Sequence, residues 1–415
     1  MRSVYFSGTR IALFVLIPLM VFGLVYVNFR LAMQIPGGND FLARWTGAHY
    51  WLVERTNPYD EEVSLAAQVM FYGRPADPTS GESLAHFYYP LYAMIFFAPF
   101  GLLSFPVARA IWMTLLQIAL PLLLWIGLRI AKWNPGTALL ALLMGFSIFW
   151  YPGVRSIFVG QFAVVEALLM AGALLAIQSR NDALGGILLA LSTSKPQMAV
   201  LFIPFVLIWA VSVKRWRLLL WAAGSMVTLV VSSIILMPDW PLRWIWQIMD
   251  YAQYTKPGQP ISIIASAFPD ISRALTLGLT VIFLLYLAWE WVSAWQKDFR
   301  WFQWTAGLTI VLTNIVAFRT ATTNYVVMLP ALCLIFGNWI KRWGRRGTIA
   351  VLLAVLILGV GQWVLFFSTV QGNDESLIMY LPMPFLTLLG LWWVRWWSIR
   401  PEKLPLEGSF HERPA

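Results

Sequence analysis

The chain has 415 residues, 60% of them hydrophobic and only 12% charged. A soluble domain carries about 25% charged residues, so half that share, gathered into gaps between long apolar runs, excludes an ordinary soluble protein and describes a polytopic membrane protein. The net charge of +10 implies no nucleic-acid partner, because the basic residues sit in short clusters between the runs, where they set topology. Many of the 24 Trp flank those runs, where indole rings favour the interface. The lone Cys333 excludes an internal disulfide framework and a Cys-based metal site.

In chain order, Arg2 and Arg10 precede a first span at 11–29 and place the N-terminus in the cytoplasm. That span lacks a small-residue exit and reads as a signal anchor. The segment 30–87 is expected outside, with two amphipathic helices lying on the membrane surface. Asn39 or Asp40 caps the first, which carries Phe41, Trp45, Ala48 and Leu52 on one face and stops at Asn57-Pro58. Asp60 caps the second, Glu61 and Glu62 suit its positive end, and Gly73 closes it.

Phe87–Ser104 is apolar but short, and Pro90 and Pro99 interrupt it. Keeping Arg129/Lys132, Arg180, Lys214/Arg215/Arg217, Lys297/Arg300 and Lys341–Arg346 in the cytoplasm makes this segment dip in and return. Further spans then fall near 108–128, 137–152, 161–178, 183–195, 197–213, 217–237, 272–295, 301–318, 322–340, 348–367 and 377–398. The expected fold class is an all-α polytopic membrane protein of about 12 transmembrane helices with both termini inside. Residues 1–400 form one transmembrane domain with outer loops 30–87 and 238–270, and 401–415 form a cytoplasmic tail. The loop 238–270, with Trp240, Trp244 and Trp246, is placed to lie over the first loop.

Three residues stand out as chemically loaded. Asp40 lies at the edge of the bilayer, where a carboxylate suits a general base, although a helix cap explains it as well. Lys195 falls between two cramped spans and directly precedes Pro196, a first-turn residue. A cation at a helix start below the surface makes an anion site; snorkelling to the interface is the other reading. Arg319, at the outer end of its span, is either a phosphate ligand or an interfacial arginine. Arg44 lies one turn beyond Asp40, and Gln161 is placed to hydrogen-bond a sugar or to start a helix. Glu166 and Glu290 are intramembrane acids; Glu166 is expected to line the cavity and Glu290 to reach the inner interface. His49 and His86 lack metal-ligand spacing, and no Asp-x-Asp pair occurs in the outer loops, so no metal or cofactor is expected.

Asn39-Asp40-Phe41, Asn57-Pro58-Tyr59-Asp60, Phe87-Tyr88-Tyr89-Pro90-Leu91, Gly160-Gln161, Lys195-Pro196-Gln197 and Tyr325 followed by Leu329-Pro330 occur in this order. The series resembles glycosyltransferase family 87, membrane enzymes that use polyprenyl-phosphate sugars and include mannosyl- and arabinofuranosyltransferases. The resemblance implies a GT-C-like fold and an outer-loop Asp as base, carried here by Asp40. It also implies a phosphate contact at Lys195, joined by Arg319. Arg44, Tyr89, Gln161, Gln197, Asn324 and Tyr325 become candidate substrate contacts. Some members carry a His-containing segment where this chain has Thr322-Thr323-Asn324-Tyr325, and Leu91 replaces a second proline.

The implied activity is inverting transfer of a sugar from a polyprenyl-phosphate carrier to a lipid-linked or envelope glycan acceptor. The enzyme would sit in the plasma membrane with its site facing outside. A lipid or glycolipid transporter using the same cationic cavity is the alternative, although transporters often show two related halves and this sequence does not.

Overall fold

The computed structural model describes residues 8–80, 82–254, 258–317, 320–372 and 375–400. Among these residues the chain is all helical and forms no strand. After α1 (Gly8–Gln34) come α2 (Asn39–His49), α3 (Glu61–Tyr72) and α4 (Met94–Gly101). Next come α5 (Phe105–Ile130), α6 (Thr137–Phe149), α7 (Tyr151–Val159), α8 (Ala163–Gln178), α9 (Asp182–Leu191), α10 (Pro196–Ala199) and α11 (Phe202–Ser212). They are followed by α12 (Trp216–Leu236), α13 (Trp240–Tyr254), α14 (Pro260–Ala265), α15 (Ser272–Ser293) and α16 (Phe299–Val316). The last four are α17 (Leu329–Trp343), α18 (Arg345–Leu356), α19 (Gln362–Thr369) and α20 (Pro382–Ile399).

Helices occur at all twelve expected span positions. Seven of the described helices are long and apolar enough to cross a bilayer, or eight if the bent pair α6–α7 forms one span. Around 163–212 the helices are short, and α4 has 8 residues. At 1.5 Å per residue α4 covers only about 12 Å, too little for a hydrocarbon core of roughly 30 Å. The chain therefore breaks repeatedly in this region, and protein covers the breaks, as backbone at membrane depth requires.

The core is built by α5, α8, α16 and α17, whose facing residues are largely buried. Small residues permit close approach: a Cβ on Gly127 would stand 2.9 Å from Cys333 Sγ and 3.0 Å from Pro330 Cα, so α5 and α17 meet nearly backbone to backbone. Around this core, α1, α12, α15 and α18 turn apolar faces outward. Ile235 is 76% and Leu285 66% exposed, a surface that water would not support and lipid does. Asn28 is the polar exception on α1, donating to Thr114 Oγ1 at 2.9 Å and Gln117 Oε1 at 2.7 Å on α5.

One local expectation needs correction. The apolar face of α2 is not left for the membrane surface; Phe41, Leu42, Trp45 and Ala48 are buried against α4 and α5. That face is broad enough to find protein partners instead of lipid. Glu290, expected at the inner interface, is ion-paired: both its oxygens accept from Arg395, at 3.0 and 2.9 Å. Burial without a partner would be far costlier.

The segment 238–270 does lie over the segment 30–87. Along one face of α13, Trp244 Nε1 donates to Tyr88 O at 2.9 Å and Gln247 Nε2 donates to Tyr59 O at 3.0 Å. Arg243 pairs with Asp60, and Asp250 lies 3.3 Å from His86 Nε2. The segment carrying Asp40 is thus clamped between the helical core and α13.

Candidate active site

The position of Asp40 begins with two glycines and a buried arginine. Gly37 and Gly38 have φ of 146° and 77°, conformations that favour glycine. Arg109, 2% exposed, lies flat beneath them, so that a Cβ on Gly37 would stand 2.6 Å from its Nη2. Its Nη1 donates to Ile35 O at 2.8 Å at the end of α1, and Gly38 N–H donates to Phe158 O at 2.9 Å. Gly38, not Asn39 or Asp40, is the cap of α2, and no side chain supplies the capping bond. The Asp40 carboxylate is therefore not used as a cap.

It meets Gln161 instead. Gly160 ends α7 with φ 69°, and a Cβ there would collide with Phe41 Cβ at 2.5 Å. That close approach brings Gln161 beside α2. Gln161 Nε2 donates to Asp40 Oδ2 at 2.9 Å, and its Oε1 accepts from Lys195 Nζ at 2.9 Å. Only this amide orientation serves both partners, since an ammonium cannot accept and a carboxylate cannot donate. Lys195 Nζ also donates to Asn324 Oδ1 at 2.8 Å. Asn324 Nδ2 donates to Thr320 Oγ1 at 3.3 Å, which in turn donates to Asn314 Oδ1 at 3.1 Å. One polar chain thus runs from α2 through the α7–α8 and α9–α10 junctions to the turn before α17.

Asp40 is half-buried at the mouth of this chain, whereas Gln161, Lys195 and Asn324 are 7%, 2% and 4% exposed. The carboxylate is reachable and the ammonium is sealed. Glu166 backs the ammonium: it is fully buried, and Lys195 is its electrostatic neighbour.

The other sequence candidates divide. The Arg44 guanidinium lies 4.6 Å from the Tyr89 ring centroid, and Tyr89 is buried against Phe97 and Phe162. Both belong to the wall beside Asp40. Tyr325 is fully buried but donates its hydroxyl to Tyr380 O at 2.9 Å, so its polar atom is occupied by the fold. Gln197 is exposed and turned outward. Arg319 lies outside the described residues.

Sequence reasoning passed over Arg155 and Glu375. Arg155 Nε stands 3.3 Å from Glu375 Oε2, to which Thr322 Oγ1 donates at 3.0 Å. Burial pushes the Glu375 carboxyl above the ordinary range, opposed by the Arg155 charge and the Thr322 bond. A signal for Arg155 existed: it is a lone cation in an apolar stretch, six residues before Gln161 and apart from the basic clusters that set topology. Nothing near Glu375 in sequence marks it. Among the described residues no group of three or more His, Cys, Asp or Glu is placed to hold a metal ion.

A half-buried acid is thus tied through one amide to a sealed cation within a helical membrane protein. Residues 87–268 match the model of Glycosyltransferase family 87, which supports glycosyltransferase activity for this helical membrane protein. The matched stretch holds Tyr89, Gln161, Glu166 and Lys195, while Asp40 and Asn324 lie outside it. No curated protein and no solved structure matches the chain.

Proposed function

We propose that the chain is an inverting glycosyltransferase of GT-C type that takes a sugar from a polyprenyl-phosphate carrier and gives it to a lipid-linked or envelope glycan acceptor on the outer face of the plasma membrane. Residues 1–400 act as one transmembrane unit with both termini inside. The observation that carries the reading is the hydrogen-bonded chain Asp40–Gln161–Lys195, which sets a proton acceptor and a cation on either side of one amide.

In the reaction, the acceptor hydroxyl attacks the anomeric carbon and gives its proton to the Asp40 carboxylate. A new C–O bond forms, the bond from the anomeric carbon to the phosphate oxygen breaks, and the carrier departs as a phosphomonoester dianion. The sugar passes through an oxocarbenium-like state, as in other glycosyl chemistry. Lys195, sealed behind Gln161 and Asn324, acts through its field, not by contact, on the charge that grows on the departing phosphate. Arg44 and Tyr89 line the wall beside the base. Arg319, which the resemblance also implied as a phosphate ligand, would join Lys195. A phosphomonoester is already a good leaving group, so a cation can replace a metal.

The test compares Asp40→Asn with Lys195→Ala in the purified full-length protein, using polyprenyl-phosphate sugars as donors. Asp40→Asn should lower turnover by roughly 10²–10⁴, the worth of a general base, with donor binding little changed. Lys195→Ala should weaken donor binding as well as slow turnover. Near-full transfer by Asp40→Asn, with the protein monodisperse, would remove the base from this mechanism.

A further inference from the structure

Asp40 has a second polar neighbourhood, distinct from the one that leads to Lys195. Its charge acts on Lys195 and also on Arg155, yet Arg155 is not among the charges that act on Lys195. The base therefore has a second cation within electrostatic reach. The surroundings of that cation are assembled from α7, the turn before α17 and the segment that follows α19, through Arg155, Thr322 and Glu375. Tyr151 completes them, with the Arg155 guanidinium 6.0 Å from its ring centroid.

This cluster carries polar atoms that the fold leaves unused. Glu375 Oε1 and the Tyr151 hydroxyl are buried and have no hydrogen-bond partner. Tyr151 is 2% exposed and the Glu375 side chain 6% exposed. The two groups face each other closely enough to interact, without forming a hydrogen bond of good geometry. Buried polar atoms are nearly always paired in a native protein, and each exception calls for a reason. The Arg155 side chain is 33% exposed, so the cluster is open at its cationic end.

The set of groups selects a ligand. A carboxylate oxygen only accepts, a guanidinium only donates, and a phenol does both. That mixture suits neutral hydroxyls, which donate and accept at once. It does not suit a phosphate, because Glu375 already neutralises Arg155 and would repel a second anion.

We propose that Tyr151, Arg155, Thr322 and Glu375 form the acceptor subsite and bind hydroxyls of a neutral sugar or polyol next to the one Asp40 deprotonates. This rests on Asp40 being the base, and it places the acceptor at Arg155, not at Lys195.

The test uses full-length enzyme in lipid nanodiscs. Undecaprenyl-phosphate-linked mannose, glucose, galactose and arabinofuranose serve as donors, and a lipid extract of cells lacking the protein serves as acceptor. Donor and acceptor are varied separately for wild type, Tyr151→Phe and Glu375→Gln, both nearly isosteric. Each variant should raise the half-saturating acceptor concentration about tenfold, the upper worth of one neutral hydrogen bond. Donor half-saturation and the slow transfer of sugar to water should stay within about twofold of wild type. A rise in donor half-saturation, a parallel loss on both sides, or no change overturns the subsite. A variant that merely misfolds loses active enzyme and leaves both half-saturations as they were, which also counts against it. If Asp40→Asn keeps full turnover while both variants weaken acceptor binding alone, the base assignment fails and the acceptor subsite stands. If wild type uses none of the donors, both readings fall.

Discussion

The amide of Gln161 offers the sharpest perturbation, because it serves an anion at one end and a cation at the other. Gln161→Leu removes both bonds with little change of volume. The two ends should not lose equally. Asp40 is half-buried and can take a water in exchange, whereas Lys195 is 2% exposed and cannot. A hydrogen bond to a charged group is worth about 1.5–3 kcal/mol, and the loss should sit almost wholly at Lys195. Gln161→Leu should therefore destabilise the protein by about that single-bond amount, not twice it. Gln161→Glu separates stability from catalysis. Its inner oxygen still accepts from Lys195, now with a charge, so stability should stay near wild type. Its outer oxygen replaces a donor with an acceptor opposite Asp40, where the present separation is 2.9 Å. Two carboxylates that close share one proton at neutral pH, which occupies the base. Turnover should fall by roughly 10²–10⁴ and recover as the pH is raised and the shared proton leaves. Thermal unfolding in detergent and pH–rate profiles measure the two effects. Wild-type turnover at neutral pH in Gln161→Glu, or a Gln161→Leu protein as stable as Gln161→Glu, would refute the reasoning.

Three other outcomes are expected. Burial holds the His86 imidazole below its ordinary range, against the upward pull of Asp250 and Glu61, so folding favours its neutral form. That contribution is complete above the unfolded value of about 6.5 and is lost as the pH falls through the lower folded value. His86→Gln should accordingly flatten the acid-side decline of Tm below about pH 6.5. In the α15–α20 contact, Arg395→Met alone strands the Glu290 carboxylate, whose side chain is 4% exposed, and should cost about 3–5 kcal/mol. The double variant with Glu290→Gln should recover most of that loss, and unfolding of all three proteins shows whether it does. For topology, single cysteines at the exposed positions Thr79 and Asp270 should react with an impermeant reagent in intact cells, and one at Arg346 only after lysis. The reverse pattern would move the chemistry to the cytoplasm.

Much of this protein follows from local composition. Apolar runs and sparse charge dictate helices that must live in lipid, because a backbone in hydrocarbon has to satisfy its own hydrogen bonds. Helix signals with a local cause were legible: Asp60 before α3, Gly73 after it in the left-handed region, Pro196 opening α10. The unusual positions of Asp40, Gln161, Lys195 and Asn324 were also visible, each as a polar residue beside a break in an apolar run.

What the sequence left open was which of these meet. Asp40 and Gln161 are 121 residues apart, and Lys195 and Asn324 are 129 apart. No local rule joins residues at that distance; the close approach at Gly160 and the covered breaks around α9–α11 do. The same cause explains the misreadings. Asp40 looked like a cap because Asn and Asp favour that place, but Gly38, pressed between Arg109 and Phe158, turns the chain one residue earlier and releases the carboxylate. The partner of Glu290 was equally out of reach of local rules: α20 brings Arg395 to it from 105 residues away. Glu375, in a segment without any motif, acquires its character only because α7 and the turn before α17 close around it. Propensity and hydropathy act over a few residues and settled the helices. The site depends on packing between elements far apart in the chain, so only the tertiary structure could assemble it.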